Sequence, residues 1–346
     1  MDDAATTQDP GSAALRDRVL EEFGVRLVAT EEVAHGADRR ARLWRARADD
    51  GSRYALKRSS GGTPAGTVVS AYLADRGVPG VVGPRRTRHG RLWAGGDGDR
   101  LTLVPWVSDT RALDGPMTTA HWRAYGEVLA AVHAAEVTDE LAALLPAGGA
   151  AYPAVVASAR SVDARLRELG PDARADPLVD GLSGVWSGMR DAVTALADAV
   201  ERLGAGPLAD PGPAVVCHGD PHLGNLLLGP RDRVWLVDWD DAVLAPRECD
   251  LMFVRDGVLA FAPVTPAQRA AVLAGYGPVD ADAARSAWFL ALRACDDVAD
   301  WSRQVLDTGD ALAPRRRALD VVRGLASPRG LVTLASAALR SLPGAH

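Results

Sequence analysis

The chain of 346 residues contains no isoleucine, one lysine (Lys57) and one asparagine (Asn225), while arginine supplies the other 38 of its 39 basic side chains. A coding bias towards GC-rich codons explains the general depletion of these residues. It does not explain why a single lysine and a single asparagine remain. We infer that arginine cannot replace the ammonium group at position 57 and that aspartate cannot replace the amide at position 225.

The chain also lacks an excess of basic residues, and it lacks long apolar runs. The formal net charge is −6, so no global positive field attracts nucleic acid or an anionic membrane surface. No apolar run approaches the length of a membrane span, and the N-terminal segment is acidic and polar rather than basic and apolar. We therefore expect a cytoplasmic protein that binds neither nucleic acid nor membranes. The sequence does not decide between a monomer and a dimer.

Cysteine is scarce as well. Cys217, Cys249 and Cys295 are odd in number, far apart and free of Cys-x-x-Cys spacing, which argues against a disulfide framework or a zinc site. We expect Cys217 to be a small buried apolar side chain rather than a nucleophile. Hydrophobic residues make up 47% of the chain, enough for a sizeable core and for two lobes.

The N-terminal third has the pattern of a small antiparallel sheet. We predict a mobile tail over residues 1–14, a short helix up to Phe23, and strands in VRLVAT, ARLWRAR and RYALKR, which are separated by turn signals. Residues 70–75 predict a helix, VVGPRRT and RLWAG predict further strands, and LTLVPWV predicts a buried strand that leads into a connector. The rest of the chain is mostly helical, with predicted helices near 118–134, 153–169 and 180–203 and two or three helices between 266 and 342. The resulting domains are an N-lobe over 15–107 and a C-lobe over 108–346.

The stretch from Val215 to Phe253 carries the most chemical information. It contains the sequences VVCHGDPHLGN and LVDWDDAVLAPRECDLMF. Phosphoryl transfer needs a carboxylate that orients and deprotonates the attacking hydroxyl, and oxygen ligands that hold Mg²⁺ against the nucleotide phosphates. Asp220, Asn225 and Asp238 suit these roles, because each stands next to a predicted buried strand.

This segment resembles the catalytic loop and metal-binding segment of the aminoglycoside phosphotransferase and choline kinase-like family. The family signature is His-x-Asp-x4-Asn followed by Asp, and the longer match is most similar to the spectinomycin phosphotransferase branch. The resemblance implies a bilobal, protein-kinase-like α+β fold, with a small antiparallel-sheet N-lobe and a mostly helical C-lobe. It also implies that Asp220 is the catalytic base and that Asn225 and Asp238 bind Mg²⁺. His218 and Asp250 are expected to support the catalytic loop.

The same resemblance implies a nucleotide site in the N-lobe. Lys57 lies in the strand RYALK, where this fold places the lysine that contacts the α- and β-phosphates. Gly36, Ala37 and Asp38 are expected in the loop that covers the phosphates, and Pro105-Trp106-Val107 is expected to be the hinge that pairs with the adenine edge. The cofactors are then ATP and Mg²⁺, and the sequence does not distinguish ATP from GTP.

One departure from the family pattern concerns the partner of Lys57. Kinases of this type pair the strand lysine with a glutamate on the small-lobe helix, but no glutamate lies between Lys57 and Gly77. Three possibilities remain open: the pair is absent, Asp75 replaces the glutamate imperfectly, or a carboxylate from elsewhere serves.

Five further acidic residues are candidates for substrate binding: Asp240, Asp241, Asp296, Asp297 and Asp300. Asp240 and Asp241 could be solvated turn residues, a second metal contact or part of an acidic wall. The other three lie on one predicted helix, where they form either a solvated face or a surface that attracts a cationic ligand.

We therefore expect an enzyme, an ATP-dependent O-phosphotransferase that acts on a cationic small molecule, an aminocyclitol or aminoglycoside antibiotic. Such an enzyme confers resistance or self-protection. The alternatives are a kinase of a neutral metabolite such as a sugar, macrolide or amino alcohol, and a nucleotide-binding pseudokinase.

Overall fold

The computed structural model describes residues 10–33, 41–96, 98–209, 212–255 and 257–343. The chain divides into two compact units, Met1–Ala135 with Leu223–Ala242, and Glu136–His222 with Val243–His346. The predicted boundary between the two lobes, at residues 107 and 108, falls inside the first unit and stays a prediction. Among the described helices, none combines the length and the apolar character that crossing a membrane requires.

The first unit is built on a four-stranded antiparallel sheet in the order β1-β2-β3-β4. Its strands are β1 (Leu27–Glu32), β2 (Ala41–Ala48), β3 (Arg53–Ser59) and β4 (Arg100–Pro105). The helix α1 (Pro10–Phe23) precedes the sheet, and α2 (Ala65–Asp75) follows β3. The helix α1 begins at Pro10, so residues 10–14, which the sequence assigned to a tail, are helical.

The apolar core of the first unit lies on one face of this sheet, where the inward-facing side chains of the strands pack together. Leu56, Leu101 and Leu103 are fully buried, and they cluster with side chains of α1 such as Val19 and Phe23. The segments VVGPRRT and RLWAG were wrongly predicted to be strands. They make only single bridges, Val81 to Leu236 and Ala94 to Leu101, because proline and glycine interrupt the pairing.

The remaining elements of the first unit are short strands and one long helix. They are β5 (Thr110–Arg111), α3 (Thr119–His133), β7 (Leu226–Leu228) and β8 (Val234–Leu236). The strands form a sheet in the order β5-β7-β8, and Thr118 caps α3 by accepting a hydrogen bond from the His121 amide at 3.1 Å.

The second unit is mostly helical. Its helices are α4 (Asp139–Leu144), α5 (Tyr152–Arg167), α6 (Pro171–Arg174), α7 (Pro177–Ala205), α8 (Glu248–Arg255), α9 (Pro266–Tyr276), α10 (Ala283–Leu306), α11 (Leu312–Leu325) and α12 (Leu331–Arg340). Two short strands, β6 (Val215–Cys217) and β9 (Val243–Ala245), pair antiparallel. The region from 266 to 342 thus holds four helices rather than two or three.

The helix α10 lies at the centre of this unit and packs against α5, α7, α8, α11 and α12. Its apolar face is buried from Ala287 to Leu306. The Trp288 indole donates to the Val200 carbonyl at 2.9 Å, so the polar atom of this core side chain is satisfied. An antiparallel sheet in the N-terminal part and a helical C-terminal part confirm the predicted α+β class.

Candidate active site

The first unit brings the only lysine of the chain to two carboxylates. Lys57 lies in β3, where it pairs with Leu43 of β2 and Thr102 of β4. Its Nζ atom lies 3.3 Å from Oδ1 of Asp238 and 2.5 Å from Oδ2 of Asp240. Only 25% of the lysine side chain is exposed, whereas both carboxylates are more than half exposed.

The charge of Lys57 is maintained by these two contacts. Burial lowers the pKa of Lys57, but the nearby carboxylates of Asp238 and Asp240 outweigh this effect and raise its pKa above the ordinary value. The ammonium group therefore stays protonated at neutral pH and presents a fixed positive charge.

The β7–β8 hairpin holds Asn225 and Asp238 at its open end. Asn225 closes a 3₁₀ turn immediately before β7, and Asp238 follows β8. The Val237 amide donates to the Asn225 carbonyl at 2.9 Å, so the residues that flank the two strands stay in register. This hairpin delivers an amide and a carboxylate to the same end of one sheet.

Asp238 has a backbone conformation that few residues adopt. Its φ and ψ are 65° and 70°, in the left-handed region that only glycine, asparagine and aspartate enter at low cost. Strained backbone of this kind concentrates at functional sites. A 3₁₀ turn, Trp239–Asp241, follows Asp238.

The second unit contains Asp220 on a loop that Asp250 braces. Oδ2 and Oδ1 of Asp250 accept hydrogen bonds from the amides of His218 and Gly219, each at 2.8 Å. Asp250 and His218 are fully buried, and Gly219 has a φ of 83° that favours glycine. Nδ1 of His218 accepts from the Asp220 amide at 3.3 Å. Buried side chains of the second unit, Asp250 and His218, therefore hold the backbone of the loop that carries Asp220.

Arg293 of α10, which sequence reasoning missed, lies beside Asp220. Its Nη2 atom is 3.1 Å from Oδ1 of Asp220, and its Nε donates to Oδ1 of Asp297 at 2.7 Å. His222 lies on the other side, with Nε2 3.4 Å from Oδ2 of Asp220. Asp220 is thus flanked by two nitrogen-bearing side chains, and its own side chain is only 15% exposed.

Asp297 is the predicted acidic residue that lies nearest to this group. Burial raises the pKa of Asp297 to about 6, and the negative charge of Asp220 adds to the effect, although the Arg293 guanidinium opposes it. The i, i+4 spacing of Arg293 and Asp297 on a predicted helix was the signal in the sequence that could have identified this pair.

The other predicted acidic residues have different surroundings. Asp300 accepts from Arg303 at 3.1 Å and from Gln304 at 2.9 Å, so its charge is partly neutralised within its own helix. Asp296 is exposed on α10, and Asp241 is exposed in the turn after Asp238. Asp240 contacts Lys57 instead of standing free as part of an acidic wall.

The predicted hinge, Pro105 to Val107, begins at the last residue of β4. Pro105 pairs with Tyr54 in the sheet, and the Trp106 amide donates to the Arg53 carbonyl at 2.9 Å, so this amide is committed to the sheet. Val107 is half-buried. The predicted phosphate-covering residues, Gly36, Ala37 and Asp38, lie outside the described residues.

The carboxylates that pair with Lys57 do not come from the small-lobe helix. This agrees with the third of the three possibilities that the sequence left open, a carboxylate from elsewhere in the chain. Asp75 forms an ion pair with Arg86 at 2.6 Å, whereas Lys57 lies against Asp238 and Asp240.

Cys217 is fully buried, and burial raises the pKa of its thiol well above the ordinary value, which makes it a poor nucleophile.

Comparison with known proteins identifies the family. Residues 29–289 match the model of the phosphotransferase enzyme family. No curated protein matches the chain by sequence.

Several solved structures share the fold. Spectinomycin phosphotransferase APH(9)-Ia, in complex with ADP and spectinomycin, superposes with a TM-score of 0.83 at 22% identity, over 94% of this chain and 98% of that one. The amicoumacin kinase hAmiN, in complex with AMP-PNP and Ca²⁺, gives 0.60 at 15% identity, over 91% and 92%. Macrolide 2'-phosphotransferase MphH from Brachybacterium faecium gives 0.53 at 21% identity, over 88% and 95%.

These likenesses confirm the protein-kinase-like fold, and the family match confirms the predicted small-molecule kinase. The family match extends over more than half of the chain and includes Lys57, Asp220, Asn225 and Asp238. The chain therefore belongs to the phosphotransferase enzyme family.

Proposed function

We propose that the protein is an ATP-dependent O-phosphotransferase that modifies a hydroxyl group of an aminocyclitol or aminoglycoside antibiotic of the spectinomycin type. This activity would make it a resistance or self-protection enzyme. The fold of a spectinomycin phosphotransferase supports the substrate class. ADP and AMP-PNP in the related structures support the use of a nucleotide.

The observation that carries the proposal is the ion pair between Lys57 and Asp238. These residues are 181 positions apart, and their side chains meet at 3.3 Å. A strand lysine beside a metal-binding carboxylate is the arrangement by which kinases neutralise the phosphates of a nucleotide. The single lysine of the chain lies at this position, whereas the other 38 of the 39 Lys and Arg residues are arginine.

Asp220 is the proposed catalytic base. In the transfer, the acceptor oxygen attacks the γ-phosphorus, the bond from that phosphorus to the β–γ bridging oxygen breaks, and ADP leaves. The proton of the attacking hydroxyl passes to Asp220. The hydrogen bonds of Asp250 to the loop hold Asp220 at a fixed orientation, which reduces the entropy lost on reaching the reactive geometry.

Asn225 and Asp238 fit a magnesium ion. Their side chains offer amide and carboxylate oxygens, the donors that Mg²⁺ prefers, and more than half of the Asp238 side chain is exposed. When bound, Mg²⁺ neutralises charge on the phosphoryl oxygens. Lys57 supplies the second positive charge from β3, on a flexible stem that fits between two phosphate oxygens.

A neutral metabolite is the second candidate acceptor, and Arg293 favours it. A guanidinium 3.1 Å from Asp220 repels an ammonium group that approaches the same carboxylate. It also pairs with Asp297, the acidic residue that would otherwise attract a cation to this position. A cationic antibiotic must therefore place its charge away from the hydroxyl that reacts.

The experiment that tests the proposal is mass spectrometry of a substrate panel incubated with the enzyme and Mg-ATP. One added phosphate on a cationic aminocyclitol supports the antibiotic proposal, and the Asp220→Ala variant should reduce its formation by about a hundredfold or more. Phosphorylation of neutral sugars, macrolides or amino alcohols alone would establish the second candidate.

ATP turnover, rather than ATP binding, separates a kinase from a nucleotide-binding pseudokinase. If ATP raises the melting temperature in the presence of Mg²⁺ but is not consumed with any acceptor in the panel, the protein binds nucleotide without turnover. ATP consumption that depends on an acceptor excludes that alternative.

A further inference from the structure

Kinases of this fold hold the strand lysine with a glutamate of the small-lobe helix, and here that helix offers no carboxylate to Lys57. The only acidic residue of α2 is Asp75 at its C-terminal end. Asp75 forms an ion pair with Arg86 at 2.6 Å. A different carboxylate must therefore hold the ammonium group if Lys57 is to contact the nucleotide phosphates.

Among the residues that the structure describes, two carboxylates contact Lys57, and they are not equivalent. Asp238 is the proposed metal ligand, so its charge is shared with Mg²⁺ when the nucleotide binds. Asp240 lies closer, at 2.5 Å from Nζ compared with 3.3 Å for Asp238. Asp240 is therefore the nearer carboxylate, and it is not one of the two proposed magnesium ligands.

The position of Asp240 is fixed by close packing of α2 on the turn. A Cβ atom on Gly66 of α2 would lie 2.4 Å from the carbonyl oxygen of Trp239 and 2.9 Å from the Asp240 amide nitrogen. The helix therefore contacts the backbone of the turn directly, with no side chain between them. Trp239 is 5% exposed, and its indole donates to the Leu236 carbonyl at 3.1 Å, which anchors the turn from the other side.

We propose that Asp240 is the positioning residue for Lys57: it takes over the task of the small-lobe helix glutamate and orients the ammonium group towards the nucleotide phosphates. This assignment rests on the proposed ATP-dependent activity. It gives Asp240 a different role from the three that the sequence left open: a solvated turn residue, a second metal contact and part of an acidic wall. It also explains why a helix without a glutamate is compatible with a working nucleotide site.

The single lysine makes a direct test possible. Lysine labelled with ¹³C at Cε gives one side-chain signal by NMR, because the chain contains no other lysine. At neutral pH this signal should shift and sharpen in Asp240→Asn, because the ammonium group loses its closer contact and becomes more mobile. Asp75→Asn is the matched control, and it should leave the signal unchanged.

Kinetics test the same residue through the reaction. Asp240→Asn should lower kcat/KM for ATP by about tenfold to a hundredfold, as expected when a catalytic group is misplaced. In a Lys57→Met background the same substitution should change kcat/KM by less than about twofold, since it acts through the lysine. Asp240→Glu should restore part of the activity, and Asp75→Asn should retain the wild-type value.

The outcomes separate this proposal from the proposed function. If the wild-type protein does not turn over ATP but the lysine signal of Asp240→Asn shifts and sharpens as expected, the pairing stands and the kinase activity fails. If wild type is active and Asp240→Asn alters neither the lysine signal nor kcat/KM, or lowers kcat/KM equally in the Lys57→Met background, the role of Asp240 is refuted. An effect of Asp75→Asn in its place would assign the role to α2.

Discussion

Removing Asp250 should destabilise the protein because the amides of a buried and a half-buried residue would lose their acceptor. The carboxylate is fully buried and accepts from the His218 and Gly219 amides, each at 2.8 Å. A buried N–H left without a partner costs about 1–3 kcal/mol, and water can partly replace the acceptor of the half-buried Gly219 amide. Asp250→Ala should therefore lower the free energy of unfolding by about 1–4 kcal/mol, a large share of the roughly 5–15 kcal/mol that a folded protein has.

Urea denaturation measures this loss directly. The matched control is Glu248→Ala, a second buried carboxylate of α8 that accepts from one backbone amide, that of Asp282 at 2.9 Å, and lies 3.9 Å from Nη1 of Arg285. Its loss should be smaller, because only one backbone amide, on an exposed residue, loses its acceptor. Asp320→Ala is the surface control, because that side chain is 71% exposed, and it should change stability by less than about 0.5 kcal/mol.

A loss for Asp250→Ala no larger than that for Asp320→Ala would refute the reasoning. It would mean that water or another donor–acceptor pair satisfies the two amides, and that Asp250 does not brace the loop that carries Asp220.

Three further predictions follow from single contacts. Lys57→Arg should lower kcat/KM for ATP by about tenfold, because the broad guanidinium cannot adopt the geometry of the ammonium; unchanged steady-state kinetics would contradict the nucleotide site. Gly66→Ala should destabilise the protein by about 1–3 kcal/mol, since its Cβ would lie 2.4 Å from the Trp239 carbonyl oxygen; thermal denaturation should show no such loss for Gly188→Ala, a helical glycine with open space around it. Burial raises the pKa of Asp297 to about 6 from 3.8, so the folded state binds this proton more tightly and loses stability as the pH rises through that window. Asp297→Asn should lack this loss and gain about 2–3 kcal/mol relative to wild type between pH 4 and 7 in urea titrations, and a pH-independent difference would contradict the assignment.

Strands, and the candidate site residues that a motif singles out, could be predicted from the sequence where the signal is local. Alternating apolar residues gave β2 and β3 to within one residue of their observed ends. His218, Asp220, Asn225 and Asp238 follow each other at a fixed spacing, so a short motif was enough to single them out. Lys57 could be singled out as a candidate site residue because it is the only lysine in a chain with 38 arginines.

Contacts between distant segments could not be predicted. Arg293 is one of 38 arginines and is 73 positions from Asp220, so its sequence environment carries no sign that it lies 3.1 Å from that carboxylate. The partner of Lys57 was equally hidden, because only the packing of α2 on the turn after Asp238 brings Asp240 into contact. Both contacts, that of Arg293 with Asp220 and that of Lys57 with Asp240, depend on tertiary packing, which the periodicity of a sequence does not reveal.

The central claim is that Lys57, Asn225 and Asp238 serve one magnesium-bound nucleotide. Calorimetric titration of a non-hydrolysable ATP analogue, with and without Mg²⁺, into the wild-type protein and into Lys57→Met, Asn225→Ala and Asp238→Asn tests it most directly. We predict binding by the wild type that Mg²⁺ strengthens, weaker binding by Lys57→Met, and no strengthening by Mg²⁺ in Asn225→Ala or Asp238→Asn. Equal, Mg²⁺-dependent binding by all four proteins would contradict the claim.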